Sequence, residues 1–106
     1  MESLRNEVDW LQYNFEWDTE KARINRIKHG VAFEVAVRIF LDPLAISVYD
    51  EEHSVHEDRW ITIGKAVGDS ILVVVHGFTE QPPDEFTVRV ISARRATKRE
   101  QIQYEG

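Results

Sequence analysis

Residues 87–100 read Thr-Val-Arg-Val-Ile-Ser-Ala-Arg-Arg-Ala-Thr-Lys-Arg-Glu and join a strand to the start of a helix. Up to Arg94 the pattern follows the two-residue period of a strand. Thr97 and Glu100 then match a capping box, in which each of the two side chains accepts a hydrogen bond from a backbone N–H at the helix start. This stretch therefore predicts a strand that turns directly into a C-terminal helix.

Upstream of this junction the periodicity changes from helical to strand-like near Leu44. The first part predicts a short strand at residues 15–17 and a helix from Thr19 to Lys28. Asp18 is the expected N-cap of that helix, and Gly30 follows its end. A second helix is predicted from Ala32 to Leu41. The second part predicts strands at residues 45–49, 59–67, 71–79 and 86–94, with a hairpin around Gly68-Asp69 and a polar loop at residues 80–85.

The order of these elements predicts the fold class. A strand, two helices, several strands and a final helix indicate an α+β domain. We expect an antiparallel sheet with the two N-terminal helices packed on one face, together with a C-terminal helix. Residues 1–13 show no clear period and are assigned to an N-terminal arm, and residues 14–106 to a single domain.

Composition narrows the class of protein. The chain has 106 residues, no cysteine, and 13 lysines and arginines against 19 acidic residues, which gives a net charge of −6. Disulfides and thiolate metal sites are excluded. The longest apolar run, residues 71–75, is too short to cross a membrane, and the charged N-terminus lacks the apolar stretch of a secretion signal. We expect a cytoplasmic protein with no membrane partner.

The cations are concentrated at the strand–helix junction. Residues 86–104 contain five cations and one carboxylate in an otherwise acidic chain. Lys98 and Arg99 fall in the first helical turn, where the helix dipole disfavours cations but where free N–H groups can hold a phosphate. If Val88 and Val90 face the core, alternation places Ser92 on the core side and Arg89 and Ala93 on the solvent side. Arg94 then follows the core side but sits at the strand end. The junction is either an anion site or a solvated basic helix end.

The histidines offer two further candidates. Residues 50–58 combine His53 and His56 with five carboxylates, but their spacing matches no standard metal loop, so we interpret the segment as a solvated loop and predict no metal or other cofactor. His76 ends the apolar run of a central strand. It is either a hydrogen-bonded core histidine or a proton-transfer residue. Tyr104 either packs or takes part in the same chemistry.

Several of these segments together resemble the BrnT toxin family. The matching pieces are Phe15-Glu16-Trp17-Asp18, Lys21-Ala22, Asn25, Lys28-His29-Gly30-Val31, Phe33, Asp58-Arg59-Trp60, Ile63-Gly64, Arg89-Val90-Ile91-Ser92-Ala93-Arg94, Ala96-Thr97, Glu100 and Tyr104. The resemblance implies a RelE-like ribonuclease fold and a type II toxin that cleaves RNA without a metal. It also implies a BrnA-like ribbon-helix-helix antitoxin as partner, with DNA contacted only through that antitoxin.

The resemblance also suggests roles for individual residues. Arg89 and Arg94 would stabilise the phosphate, with Arg59 as a further contact, and either His76 or Tyr104 would transfer protons. Lys98 and Arg99 would bind the RNA backbone. Two other hypotheses stay open: the chain is a non-catalytic protein-binding module, or it is a toxin directed at gyrase on the same fold. The net charge of −6 fits poorly with RNA binding, which benefits from a positive field.

Overall fold

In the computed structural model, which describes residues 13–81 and 85–106, five strands form one sheet in the order β1-β5-β4-β3-β2. The strands are β1 (Tyr13–Glu16), β2 (Ile46–Tyr49), β3 (Arg59–Lys65), β4 (Ile71–Gln81) and β5 (Glu85–Arg95). β1 runs parallel to β5, whereas the other neighbours are antiparallel. The α+β class is confirmed, but the prediction of an antiparallel sheet is wrong for β1. Its direction is set by pairing with a strand about seventy residues later in the chain, which local periodicity does not encode.

The first helix, α1 (Thr19–His29), begins at the predicted residue and ends one residue beyond the predicted Lys28. Asp18 caps it by accepting a hydrogen bond from the Lys21 amide at 3.0 Å. Gly30 follows it with a φ of 71°, the left-handed conformation that glycine adopts without steric cost. The buried Asn25 side chain bonds both backbone groups of Ala93, at 2.9 and 3.1 Å, where β5 extends beyond β1. An amide side chain thus completes the edge of the sheet and attaches α1 to it.

The predicted second helix, Ala32 to Leu41, is largely a tighter structure. Only α2 (Phe33–Ala36) is α-helical, and Val37–Leu41 forms a 3₁₀ helix. β-Branched residues crowd an α-helix, and this segment is rich in them. The 3₁₀ turns bring Ile39 against β3, where a Cβ on Gly64 would lie 2.9 Å from the Ile39 Cβ. Two regular helices on one face of the sheet are therefore not confirmed.

The main core lies between the sheet and the segment that follows α1. It contains ten buried residues: Val31, Phe33, Ala36, Val37, Ile39, Leu72, Val74, Val88, Val90 and Ala93. A smaller cluster of Ile63, Val73 and Ala96 lies on the opposite face, and Tyr104 of α3 (Lys98–Glu105) packs against it. The main core thus lies on one face of the sheet, and α3 covers one end of the other.

A β-bulge interrupts β5 and changes which residues face the core. Val90 pairs with His76, whereas Ser92 pairs with Val75, so that Ile91 is an additional residue. An extra residue reverses the alternation of side chains beyond it. The predicted alternation is therefore wrong after Val90. Ala93 instead of Ser92 enters the core, and Arg94 lies on the face that carries Arg89.

The predicted N-terminal arm, residues 1–13, lies outside the described residues except for Tyr13, which begins β1. The same holds for residues 82–84 of the predicted polar loop. None of the helices in the described ranges has the length and apolar character required to span a membrane.

Candidate active site

Two arginines of the sheet lie in one row, separated by a glycine. Arg59 of β3 pairs with Gly77 of β4, Gly77 pairs with Arg89 of β5, and Arg89 pairs with Glu16 of β1. Because side chains alternate along a strand, the row projects from the face that carries α3 and not from the main core face. It lies at the end of that face remote from α3. Lys65, next to the α3 attachment, is six residues along β3 from Arg59, or roughly 20 Å at 3.3 Å per residue.

A cleft of about 480 Å³ opens beside this row. We call it the Arg59/Arg89 cleft; its lining residues are Glu16, Trp17, Asp18, Lys21, Arg59, Arg89, Val90 and Ile91. The capped start of α1 forms one side and the bulged part of β5 forms the other. The bulge therefore shapes the cleft as well as changing the alternation, and Lys21 adds a third cation.

Arg59 has an unsatisfied donor in the cleft. Its Nε is buried and has no hydrogen-bond partner among the described residues. An unpaired buried donor costs on the order of 1–3 kcal/mol, and more when the group is charged. Such a donor is uncommon in a folded protein and calls for a specific explanation, of which a ligand is one. Arg59 thus brings to the cleft a guanidinium group that the described residues do not fully satisfy.

Arg89 is only weakly engaged. Its Nε is 3.7 Å from Glu57 Oε2, and the two side chains are 55% and 43% exposed. An ion pair of this length and exposure is worth little. The Glu57 carboxylate lies over Gly77, because a Cβ built on Gly77 would be 2.8 Å from Glu57 Oε2. A carboxylate therefore reaches the gap between the two arginines.

The arginine at the other end of this face has an internal partner. We call this region the C-terminal corner; it consists of Arg94, Lys98, Arg99, Glu100 and Tyr104. Arg94 donates to both carboxylate oxygens of Glu100, at 2.8 and 2.9 Å. The same Glu100 closes the predicted capping box with Thr97, which is confirmed. Hydrogen bonding from Arg94 lowers the pKa of Glu100 to about 2, and the bond to Glu100 raises the pKa of Arg94. Arg94 thus joins β5 to α3.

Tyr104 attaches the end of α3 to the turn before β2. Its hydroxyl donates to Asp42 Oδ2, and the same oxygen accepts from the Lys65 amide at 2.8 Å. The bond to Asp42 raises the pKa of Tyr104 to about 12. Burial by itself would raise the pKa of Asp42, but the hydrogen bonds from Tyr104 and from two backbone amides lower it. A phenol with this pKa, committed to a carboxylate, is a poor proton donor at neutral pH.

His76 lies in the core, on the face opposite Arg89. It is 3% exposed, its Nε2 is 2.7 Å from Thr62 Oγ1, and its Nδ1 is 3.0 Å from the carbonyl oxygen of Gly77. The Phe40 ring meets it edge-on at 5.0 Å. Burial lowers the pKa of His76, so the ring is neutral. The arrangement corresponds to the hydrogen-bonded core histidine considered from the sequence.

Comparison with known proteins assigns the chain to a family. A profile described as the ribonuclease toxin BrnT of a type II toxin–antitoxin system matches residues 17–100. The chain belongs to the BrnT family. The 1.1 Å crystal structure of the Brucella abortus ribonuclease toxin BrnT is similar to it, with a TM-score of 0.58 and 27% identity over 79% of this chain and 96% of that one. No curated protein shows significant similarity to the chain.

Membership of the BrnT family confirms the resemblance read from the sequence. The matched region contains Arg59, Arg89 and the bond between Arg94 and Glu100, and it ends before Tyr104. The site residues expected from the sequence fall into three places. Arg59 and Arg89 share the cleft; Arg94, Lys98, Arg99 and Tyr104 form the C-terminal corner; His76 is buried. The catalytic roles stay predictions, but only two of the expected residues are brought together in a cleft.

Three residues in or beside the cleft were missed from the sequence. Glu57 was assigned to a solvated loop, and Gly77 and Lys21 were given no role. A signal existed for Gly77, since a glycine inside an apolar strand often marks a close approach. No group of three His, Asp or Glu side chains in the described residues could hold a metal ion together.

Proposed function

We propose that this BrnT-family chain cleaves RNA at the Arg59/Arg89 cleft by metal-independent transesterification. The observation that carries the proposal is the pair of arginines in one row, one of them with a buried Nε that lacks a partner in the described part of the chain. Two strand spacings separate their backbones, or roughly 10 Å. Both side chains are long enough to converge on one phosphate between them. Guanidinium groups are suited to this, because their donors match the geometry of phosphate oxygens.

The reaction needs charge stabilisation and a proton acceptor. In transesterification the 2′-oxygen attacks the adjacent phosphorus, and the bond from phosphorus to the 5′-oxygen breaks. The products are a 2′,3′-cyclic phosphate and a 5′-hydroxyl end. Negative charge grows on the phosphate oxygens, where preorganised cations are most effective. We assign this stabilisation to Arg59 and Arg89, with Lys21 at the margin of the cleft.

The residues of the C-terminal corner receive other roles. We assign Arg94 to holding α3, since its bonds to Glu100 occupy donors that a phosphate would need. Tyr104 is assigned to the same structural task. Lys98 and Arg99 are exposed in the first turn of α3, where cations can contact the RNA backbone. His76 is not given proton transfer, because it is buried and neutral.

We propose a BrnA-like ribbon-helix-helix antitoxin as the partner. Type II systems pair the toxin with an antitoxin protein, and exposed Lys98 and Arg99 suit an acidic or amphipathic segment. DNA would be contacted by the antitoxin, since a chain of net charge −6 has little electrostatic attraction for a duplex. Protection of residues 98–104 from hydrogen exchange in the complex would support this docking; unchanged exchange would contradict it.

The central experiment is a cleavage assay with purified chain and a defined RNA. We expect cleavage to persist in EDTA and the products to carry 5′-hydroxyl ends, which polynucleotide kinase labels without prior phosphatase treatment. Loss of cleavage on chelation, with recovery on adding a divalent metal, would contradict the mechanism. Growth arrest with intact RNA and stalled replication would favour a gyrase-directed toxin, and a well-folded chain with neither effect would favour a binding module.

A further inference from the structure

The carboxylate of Glu57 lies at the centre of the arginine row. A Cβ on Gly77 would be 2.8 Å from Glu57 Oε2, and that oxygen is 3.7 Å from Arg89 Nε. Gly77 is the neighbour of both Arg59 and Arg89 in the sheet register. The missing side chain at Gly77 therefore provides the space that Glu57 occupies.

Structural stabilisation does not account for this arrangement. A half-exposed pair at 3.7 Å contributes little to folding. Glycine inside a strand weakens it, because the residue has no side chain to pack and loses more backbone entropy. The sheet thus accepts a cost at Gly77 for a contact that hardly stabilises it. Costs of this kind are typical of functional sites.

The arginines also leave one chemical need unmet. A guanidinium group has only donors and stays protonated, so Arg59 and Arg89 cannot accept the proton of a 2′-hydroxyl. A carboxylate can. Asp18 lines the same cleft but is occupied as the N-cap of α1. Glu16 lies on the outer side of Arg89, on the edge strand β1, whereas Glu57 lies between the two cations.

We propose that Glu57 is the general base of RNA cleavage, an assignment that rests on the proposed function. With the phosphate held between Arg59 and Arg89, the neighbouring 2′-hydroxyl comes within reach of the Glu57 carboxylate. Glu57 removes the proton as the bond from the 2′-oxygen to phosphorus forms. The bond from phosphorus to the 5′-oxygen breaks, and that oxygen takes a proton from water. Glu57 then returns its proton to solvent, so that the chain is unchanged.

The test compares Glu57→Gln with the wild-type chain. Glutamine keeps the size of the side chain but does not accept the proton, so the single-turnover cleavage rate should fall roughly a hundredfold or more. Affinity for a 2′-O-methyl RNA, which cannot be cleaved, should stay the same or rise, since a negative charge leaves the phosphate site. Glu57→Asp, with a shorter carboxylate, should retain part of the rate. Thermal unfolding should not change.

Two further variants make the test specific. Glu52→Gln removes the same charge from an exposed position in the same loop and should cleave at the wild-type rate. Gly77→Ala adds a Cβ where the carboxylate lies, so it should slow cleavage of RNA that still binds. Its unfolding midpoint separates displacement of Glu57 from damage to the sheet.

Three outcomes would overturn the proposal. Glu57→Gln could cleave as fast as wild type or faster while binding RNA more tightly; Glu57 would then be an internal counterion that occupies the phosphate site. The hundredfold loss could instead appear in Glu16→Gln, which would make Glu16 the base. Glu57→Gln could lose RNA binding and cleavage equally, which would indicate a binding role. If the wild-type chain does not cleave RNA, the proposed function fails first.

Discussion

The Arg59/Arg89 cleft and the C-terminal corner lie at opposite ends of one sheet face, and both are built around arginines. In the corner, Arg94 donates two hydrogen bonds of 2.8 and 2.9 Å to Glu100. In the cleft, Arg59 has a buried Nε without a partner among the described residues, and Arg89 Nε is 3.7 Å from Glu57 Oε2. The same type of side chain thus has a strong internal partner in one place and a weak one or none in the other.

This difference shows how far cation density can locate a binding site. The corner has the higher density of positive charge along the sequence, yet its central arginine is committed to structure. The cleft gathers residues from three segments that are distant in the chain, namely residues 16–21, Arg59 and residues 89–91. A cation that already has a strong hydrogen-bonded partner within the protein contributes little to ligand binding. The predictions below test that distinction.

The largest effect is expected in the cleft. Arg59→Ala and Arg89→Ala should each lower the RNA cleavage rate by on the order of a hundredfold, by analogy with the loss of one preorganised donor to a transition state. Stability should change little, because neither guanidinium has a strong internal partner. Single-turnover kinetics and chemical denaturation measure both quantities. Arg38→Ala, an exposed cation on the 3₁₀ segment, serves as the control for lost charge. Wild-type cleavage by a folded Arg59→Ala variant would remove the cleft from the mechanism.

The corner should respond in the opposite way. Arg94→Ala removes two bonds to Glu100 and loosens α3, and we expect a loss of about 1–2 kcal/mol in the free energy of unfolding. The estimate is modest because the Arg94 side chain is 39% exposed, which screens the ion pair. Cleavage by the folded fraction should remain within a few-fold of wild type. A hundredfold loss of cleavage at unchanged stability would instead indicate that Arg94 stabilises the phosphate.

Acid titration provides an independent check on this bond. The pKa of Glu100 falls from 4.5 to about 2 on folding, mainly because of Arg94. A lowered pKa stabilises the folded chain above the unfolded value, so this stabilisation is present above pH 4.5 and is lost as the pH falls toward 2. Over that range the wild-type chain should therefore lose more stability than Glu100→Gln. Equal losses of stability in the two chains would mean that the bond between Arg94 and Glu100 contributes nothing to the free energy of unfolding.

The smallest effect is expected for Tyr104→Phe. The variant loses one hydrogen bond to Asp42 on a half-buried residue, which should cost less than about 1 kcal/mol and leave cleavage unchanged. The pKa of Tyr104 is raised from 10 to about 12, so the stabilisation is complete below pH 10 and is lost as the pH rises through 12. Alkaline unfolding curves of the two chains should converge there. Abolished cleavage by a stable variant would make Tyr104 catalytic.

Some of the fold was predictable because its causes are local. The Asp18 cap, the Gly30 terminus and the capping box of Thr97 and Glu100 each depend on residues a few positions apart, and each was predicted at the correct place. The hairpin of β3 and β4 was also predicted, since a turn at Gly68 joins two runs with a period of two. Interactions of this kind are determined by residues that are close together in the sequence.

The parts that failed depend on contacts between distant segments. The bulge at Ile91 has no distinctive local sequence, yet it changed the faces assigned to Ser92, Ala93 and Arg94. The 3₁₀ geometry near Ile39 depends on the close approach to Gly64 of β3. For the candidate site, the sequence supplied Arg59 and Arg89 but could not show that one row of the sheet holds both.

The sequence by itself determined the caps of the first and last helices, the α+β class and the BrnT family, because these follow from short-range patterns and from residues that a family shares. Only the tertiary structure decided which charges are free. In the folded chain Arg94 is paired with Glu100, and His76 is buried in the core on the other face of the sheet. The Glu57 carboxylate lies over Gly77, between Arg59 and Arg89. The physical reason is that the availability of a charge depends on its neighbours in space, and the sheet places side by side residues that the chain keeps apart.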